Sequence, residues 1–101
     1  MPTRPAWESE DEILLEEALE HALDSEMACR IVVYNDDVNT FEWVIECFME
    51  ILGHTSVQSE QLALIIHTKG KATVKTGPRA ELEAPTQALS DRGLSAVLEE
   101  G

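Results

Sequence analysis

The chain has 101 residues and a net charge of −13, with 20 acidic side chains against seven lysines and arginines. This length and a hydrophobic content of 44% predict one small folded domain. The negative charge argues against binding to nucleic acid or to an anionic membrane surface. No apolar run is long enough to span a bilayer, and no signal peptide opens the chain.

The two cysteines, Cys29 and Cys47, are too few and too far apart for a disulfide framework or a zinc site. They indicate reduced thiols in or near a core. Together with the absence of a targeting segment, they predict a cytoplasmic protein that uses no metal and no cofactor.

Negative charge is concentrated at the start of the chain. Residues 1–26 contain nine acids and one base, a net charge of −8, whereas residues 27–101 carry −5. We therefore predict an acidic, flexible extension over 1–26 and a folded domain over 27–101. Apolar residues in the extension recur at helical spacing, which leaves two interpretations open: a solvated tail, or an arm that docks on another protein.

The folded domain is predicted to begin with a strand at 29–34, where β-branched residues precede a turn cluster. A helix follows, with Asn39 as its N-cap and Gly53 just beyond its end. Its apolar residues repeat at helical spacing: they are Phe41, Val44, Ile45, Phe48 and Leu52. A second helix is predicted from about Thr55 to Gly70. Its buried face is assigned to Leu62, Ala63, Ile65 and Ile66.

The rest of the domain is predicted to hold a strand, a short helix and a closing strand. Alternating residues at 71–75 indicate a half-exposed strand, and 76–78 a turn. The helix is expected within 81–92. Proline is tolerated only in a first helical turn, so Pro85 would delay its start to as late as Ala84. Gly93 ends this helix, and residues 94–98 form the last strand.

The predicted element order is thus β-α-α-β-α-β. Three short strands cannot bury both faces of a sheet by themselves. We therefore expect three helices to cover one face of a small antiparallel or mixed sheet, a two-layer α+β sandwich.

The one concentration of polar groups is Asn35-Asp36-Asp37, just before the first predicted helix. Turn chemistry alone would explain it, and His67 could simply interact with the negative end of its own helix. If the first two helices pack antiparallel, however, His67 comes beside this cluster. The apolar residues expected at the same end are Phe41, Val44, Ala63 and Ile66. Such a pocket suits a ligand that carries a cationic amine and a large apolar side chain.

An enzyme is the alternative interpretation of these polar residues. It would be a small hydrolase or a metal-dependent enzyme that uses Asp36, Asp37 and His67. The sequence offers no recognisable nucleophile, no glycine-rich phosphate loop and no zinc-ligand spacing. Binding without catalysis is therefore the favoured hypothesis.

Two separated segments resemble the signatures of the ClpS adaptor family. The segment from Val33 to Ile45 contains Asn-Asp-Asp before a helix start. The segment from Gln61 to Ala72 contains His-x-x-Gly-Lys, which is followed by its last residue, Ala72. The resemblance covers residues 28 to about 76 well and continues more loosely to Leu98. It implies a fold similar to the C-terminal domain of the ribosomal stalk protein.

The resemblance also implies a function. Members of this family bind proteins that begin with a bulky hydrophobic residue, which are called N-degrons. They deliver these proteins to a ClpA- or ClpC-type AAA+ unfoldase, which feeds the ClpP protease. A flexible N-terminal extension engages the unfoldase.

Residue by residue, the resemblance assigns Asn35, Asp36, Asp37 and His67 to the α-amino group of the substrate. An ammonium offers three N–H donors, and a carboxylate adds charge assistance. An imidazole must be neutral to accept a hydrogen bond, so acid is expected to weaken binding.

The resemblance assigns the walls of the side-chain pocket to six positions: Asn39, Phe41, Val44, Ala63, Ile66 and Leu94. A neutral apolar pocket explains selection of Leu, Phe, Tyr and Trp. Family members often carry methionine at the positions of Phe41 and Ala63. Phe41 is larger than methionine, and Ala63 is much smaller. Our hypothesis is that the two changes partly compensate and reshape the pocket without abolishing it.

A small basic cluster stands out in this acidic chain. It consists of Lys69, Lys71, Lys75 and Arg79. Two interpretations are open: a second surface that faces a partner, or a solvated strand edge, because lysines commonly protect such edges.

Overall fold

The computed structural model describes residues 29–100. Its elements are β1 (Cys29–Tyr34), α1 (Phe41–Leu52), α2 (Ser56–Lys69), β2 (Lys71–Gly77), α3 (Arg79–Asp91) and β3 (Ser95–Glu100). The predicted element order is confirmed. The predicted extension over 1–26, and its boundary with the domain, lie outside these residues and stay a prediction. In the described part of the chain, no helix is both long enough and apolar enough to cross a membrane.

The three strands form one sheet with the order β2-β1-β3, and both pairings are antiparallel. The register of β1 against β2 shifts between Ile31 and Val32, which pair with Lys75 and Thr73. Val74 is therefore the extra residue of a β-bulge. The carbonyl oxygen of Val74 lies 2.7 Å from Nε2 of His54, which is in the loop between α1 and α2. A carbonyl can only accept, so this nitrogen of the imidazole carries the proton.

The core lies between the helices and one face of the sheet. Alternate residues of β1, Ile31 and Val33, turn toward the helices and are almost fully buried. Each helix contributes at least one buried apolar side chain to the same cluster, which includes Phe48, Ile66, Leu82 and Leu89. Burying each of these side chains contributes roughly 1.5–3 kcal/mol. The fold is the predicted two-layer α+β sandwich.

The N-cap of α1 is Thr40, and the predicted cap at Asn39 is wrong. The Thr40 side chain accepts a hydrogen bond from the backbone N–H of Trp43 at 3.1 Å. Asn39 lies one residue too early for this role, and its side-chain amide is engaged elsewhere. The N-cap of α2 is Thr55, at the predicted start of this helix, and its hydroxyl accepts from the backbone N–H of Gln58 at 3.1 Å.

The start predicted for α3 is also wrong, because the helix begins at Arg79 and carries Pro85 in its interior. A proline there removes one hydrogen bond and costs about 3 kcal/mol in an isolated helix. The carbonyl left without that bond belongs to Glu81, which is exposed and can be hydrated. Leu82 and Leu89 lie seven residues apart on one face and are both fully buried. The free energy gained by burying these two leucines outweighs the unfavourable helix propensity of the proline.

The face that α2 presents to the core differs from the prediction at one position. Ala63 and Ile66 are buried and Leu62 is partly buried, as expected, but Ile65 is 40% exposed. Ser59, which was not predicted to face the core, is fully buried one helical turn before Ala63. Because serine is polar, the spacing of apolar residues in the sequence could not predict that Ser59 is buried.

Candidate functional site

The candidate site lies where β1 ends, α1 begins and α2 ends. The loop between the two helices is short, so they pack antiparallel and the end of α2 lies beside the start of α1. A hydrogen bond of 2.8 Å from the backbone N–H of Asn35 to the carbonyl of Gly70 joins these two parts of the chain. Gly70 ends α2 with a φ of 92°, a conformation that favours glycine.

A pocket of about 280 Å³ opens at this junction. Its lining consists of Asn35, Asp36, Asp37, Asn39, Phe41, Val44, Ala63, Ile66 and His67. The structure therefore brings His67 beside the turn cluster, at one end of the helix pair. Leu94 is buried and does not line this pocket. It borders a narrow cleft of about 20 Å³, which shares five lining residues with the pocket: Asn35, Asp36, Asn39, Val44 and Ile66.

Asp36 is held by hydrogen bonds from its own loop. Its Oδ1 accepts from the backbone N–H groups of Val38 and Asn39 at 3.0 and 2.9 Å. The side-chain amide of Asn39 donates to both carboxylate oxygens at 3.0 and 2.9 Å. Ser95 Oγ adds a longer contact of 3.3 Å to Oδ2. Both oxygens of this carboxylate are therefore already engaged within the protein.

These contacts keep Asp36 ionised. The pKa of its carboxyl is lowered, first by the backbone N–H of Asn39, then by the Asn39 side chain, Val38 and Ser95, while partial burial opposes the shift. An ionised carboxylate accepts on both oxygens, which the Asn39 amide requires. Asp36 therefore shapes the loop.

Asn39 connects this loop to the far end of the sequence. Its side-chain nitrogen also donates to the carbonyl of Gly93 at 2.8 Å, 54 positions away. Trp43 makes a second connection, donating its indole N–H to the carbonyl of Arg92 at 3.1 Å. The segment between α3 and β3 thus supports the pocket from behind. These contacts were not predicted, because they join segments about fifty residues apart and leave no local pattern.

Three polar side chains of the pocket remain available. Asn35, Asp37 and His67 are exposed, and none makes a side-chain hydrogen bond to another part of residues 29–100. An amide oxygen, a carboxylate and an imidazole nitrogen are all acceptors for N–H groups, and the carboxylate also attracts positive charge. The polar rim is therefore suited to a cationic amine.

The wall of the pocket is apolar. Ala63 and Ile66, from α2, are buried, and Val44, from α1, is partly buried beside them. Phe41 lies at the start of α1 and is 36% exposed. The site thus combines a rim of acceptors with an apolar wall. Among the described residues, no group of three or more His, Cys, Asp or Glu side chains is arranged to hold a metal ion.

Comparison with known proteins identifies the family. Residues 24–97 match the family model described as "ATP-dependent Clp protease adaptor protein ClpS". A ClpS adapter protein of Corynebacterium diphtheriae is 34% identical over 90 residues, an alignment that covers 79% of this chain and 80% of the relative. One from Streptomyces coelicolor is 35% identical over 69 residues, which cover 68% and 72% of the two chains. The chain belongs to the ClpS family.

The fold agrees with that of a solved ClpS structure. Agrobacterium tumefaciens ClpS2 bound to L-phenylalaninamide aligns with a TM-score of 0.69 at 19% identity, over 72% of this chain and 95% of that one. The resemblance found in the sequence is therefore confirmed at the level of family and fold. This chain is a ClpS adaptor of the Clp protease.

Proposed function

We propose that this ClpS chain binds proteins that begin with a bulky hydrophobic residue and presents them to a ClpA- or ClpC-type AAA+ unfoldase. One observation carries the proposal. Three side-chain acceptors that have no hydrogen-bonded partner among residues 29–100 stand at the rim of a 280 Å³ pocket whose wall is apolar. A free N-terminal residue has the matching chemistry, because its ammonium and its side chain leave the same carbon atom.

The α-amino group is held by Asn35, Asp37 and His67 in this proposal. An ammonium has three N–H donors, and these three side chains supply an acceptor for each. Asp37 contributes the charge, and hydrogen bonds to charged groups are worth roughly 1.5–3 kcal/mol. Asp36 has both oxygens occupied and acts through Asn39 as a positioning residue.

The side chain of the substrate packs against Val44, Ala63 and Ile66. Burial of a Leu or Phe side chain there supplies about 1.5–3 kcal/mol. Phe41 also lines the pocket, and Ala63 adds only a methyl group to its wall. The ligand named with the Agrobacterium protein, L-phenylalaninamide, has a free amine, an aromatic side chain and an amide in place of the carboxylate. It stands in for the first residue of a polypeptide and supports this assignment.

The site acts by binding, and the chain performs no chemistry on the substrate. The family description names an adaptor protein, which supports this view. Cleavage belongs to the Clp protease, and substrate transfer requires contact with its unfoldase.

Peptide binding tests the proposal directly. Peptides that begin with free Leu, Phe, Tyr or Trp should bind in isothermal titration calorimetry, and N-acetylated copies should not, because acetylation removes the positive charge and two N–H donors. The proposal fails if acetylation leaves the affinity unchanged.

The residue test uses two aspartates. Asp37→Asn should weaken binding of the free-amine peptides by roughly 10- to 100-fold, the equivalent of one hydrogen bond to a charged group. Asp91→Asn is the matched control, because Asp91 is also exposed but lies at the end of α3, outside the pocket. Equal losses in the two variants would contradict the role given to Asp37.

Delivery is tested by removing the acidic extension. We expect a chain without residues 1–26 to bind peptides as before but to lose delivery of N-degron proteins to the unfoldase. The measurement is degradation of a fluorescent protein with an N-terminal Leu by unfoldase, ClpP and adaptor. Unchanged degradation would show that the extension takes no part in delivery.

A further inference from the structure

Most of the positive charge of the described domain lies in one region. Residues 29–100 contain six lysines and arginines. Five of them lie on β1, on β2 or within two positions of β2: Arg30, Lys69, Lys71, Lys75 and Arg79. Eleven acids are distributed over the same part of the chain. The basic residues therefore mark a surface that differs from the rest of the domain.

Part of this region lies on the face of the sheet opposite the helices. Ile31 and Val33 point into the core, so Arg30, Val32 and Tyr34 point to the other face. The register places Thr73 and Lys71 of β2 opposite Val32 and Tyr34. Val97 and Glu99 of β3 lie opposite Val32 and Arg30. We call these seven residues the open face.

The open face contains a groove of about 220 Å³. It is lined by Arg30, Val32, Lys71, Ala72, Thr73 and Glu99. The apolar floor and the two cations at its sides are suited to an extended acidic segment. The groove shares no lining residue with the substrate pocket.

The carboxylate in this groove already has partners within the domain. Tyr34 donates its hydroxyl to Glu99 Oε2 at 2.7 Å, and Arg30 Nη2 lies 3.6 Å from Oε1. The same bond to Tyr34 lowers the pKa of Glu99, so the carboxylate stays ionised. Lys71 Nζ lies 5.8 Å from the Tyr34 ring centre and forms no ion pair with a carboxylate of residues 29–100. Arg30 and Lys71 together carry two positive charges against the single negative charge of Glu99, so the groove keeps a net charge of +1.

The chain itself supplies a complementary segment. Residues 16–26 contain five acids, Glu16, Glu17, Glu20, Asp24 and Glu26, and no lysine or arginine. The described chain starts at Cys29, the first residue of the central strand. Five residues span up to about 17 Å, so Asp24 can reach along most of β1. A short tether also gives an effective concentration in the millimolar range, at which weak ion pairs suffice for docking.

We propose that the acidic segment 16–26 docks on the open face of the same chain, with its carboxylates beside Arg30 and Lys71. The docking is intramolecular and electrostatic, and it leaves the substrate pocket accessible. The acidic segment is then bound to this face, and a partner that binds the segment must first displace it.

The test compares the full chain with a variant in which the five acids are neutralised: Glu16→Gln, Glu17→Gln, Glu20→Gln, Asp24→Asn and Glu26→Gln. The measurement is the amide chemical shift of Val32, Thr73 and Val97 by NMR. At about 0.01 M salt, where the Debye length is about 30 Å, we expect these shifts to differ between the two chains. At about 1 M salt the length is about 3 Å, and the difference should vanish.

Two lysines provide a matched pair of variants in the full chain. Lys71→Glu reverses a charge on the open face and should remove the shift differences. Lys75→Glu makes the same change on the same strand, but Lys75 pairs with Ile31 on the helix side and should leave them in place. If Lys71→Glu does not fold, Thr73→Glu, an exposed position on the same face, takes its place.

Three outcomes would overturn the proposal. Shifts unaffected by neutralisation of the acids would show that the segment does not contact this face. Equal effects of Lys71→Glu and Lys75→Glu would show attraction without a defined site. Shift differences that grow with protein concentration would show that a second copy occupies the groove.

Discussion

At the scale of single residues, Asp36 and Asp37 are adjacent in sequence and identical in chemistry, yet they occupy different environments. Asp36 accepts hydrogen bonds from Val38, Asn39 and Ser95, whereas Asp37 faces the pocket without a bonded partner in the described domain. One carboxylate organises the loop, and in our proposal the other binds the ligand. The distinction depends on Ser95 and Gly93, which are more than fifty positions away.

Substitution of Asp36 is expected to affect the stability of the fold. Asp36→Asn would place an amide N–H₂ group opposite the N–H₂ group of Asn39, so one hydrogen bond must break. We expect a lower melting temperature at pH 7 in thermal unfolding followed by circular dichroism. Asp91→Asn serves as the control and should have a much smaller effect.

The pH dependence of this effect has a defined sign. The pKa of Asp36 is lowered below its ordinary value of 3.8, so its ionised form stabilises the fold at neutral pH. That contribution is lost as the pH falls below the ordinary value and through the lower value of the folded state. The melting temperature of the parent chain should therefore approach that of Asp36→Asn in acid. A constant difference between them would contradict the assignment.

Sequence reasoning identified the residues that line the pocket, except that Leu94 borders a separate cleft, but it did not distinguish their roles. Antiparallel packing of two helices was enough to bring His67 beside Asn35 and Asp37. The N-cap could not be chosen correctly, because Asn39 and Thr40 are both good capping residues. Contacts with the segment before β3 recruit Asn39 for the loop and leave Thr40 as the cap.

At the scale of elements, α1 and α2 end in the same way, with a glycine as the C-cap. Gly53 and Gly70 have φ values of 71° and 92°, and in each case the backbone N–H of the glycine bonds back into the helix. A Cβ at either position would meet no atom within 4 Å. Any cost of substitution therefore comes from the backbone conformation alone.

This equivalence separates stability from function. Gly70→Ala and Gly53→Ala should each lower the free energy of unfolding by roughly 1–2 kcal/mol, measured by urea denaturation. Only Gly70→Ala should also weaken peptide binding, because the Gly70 carbonyl holds the backbone of Asn35. Equal peptide affinities in the two variants would show that this hydrogen bond does not position the site.

The positions of the strands and of the first two helices were predictable because local pattern and tertiary packing agree there, although β2 continues to Gly77, where a turn was predicted from residue 76. In α3 they disagree. Pro85 predicts a late start, but Leu82 must reach the core, and its full burial extends the helix back to Arg79. The same conflict explains Ser59, a polar residue that packing on α2 buries completely.

At the scale of the whole molecule, charge of one sign dominates. The full chain carries −13, and the three ion pairs among residues 29–100 are all at least partly exposed: Arg30–Glu99, Arg79–Glu100 and Arg92–Glu50. Exposed pairs contribute little, typically below about 1 kcal/mol. Repulsion among the remaining acids is therefore the larger electrostatic effect on the fold.

We accordingly expect sodium chloride to stabilise the protein. Raising the salt from about 0.01 M to about 1 M screens repulsion and attraction alike, and repulsion is in excess. The melting temperature should rise over this range in thermal unfolding. A fall would mean that the ion pairs outweigh the net charge.

The hydrogen bond from Asn35 to Gly70 has a thermodynamic consequence for the complete molecule. It joins two halves of a pocket whose residues lie about thirty positions apart, so an unfolded chain has no such pocket. A ligand that binds only the folded state adds stability by mass action, about 2.7 kcal/mol at a concentration one hundred times its dissociation constant. A ligand that occupies the pocket is therefore expected to raise the melting temperature of the chain.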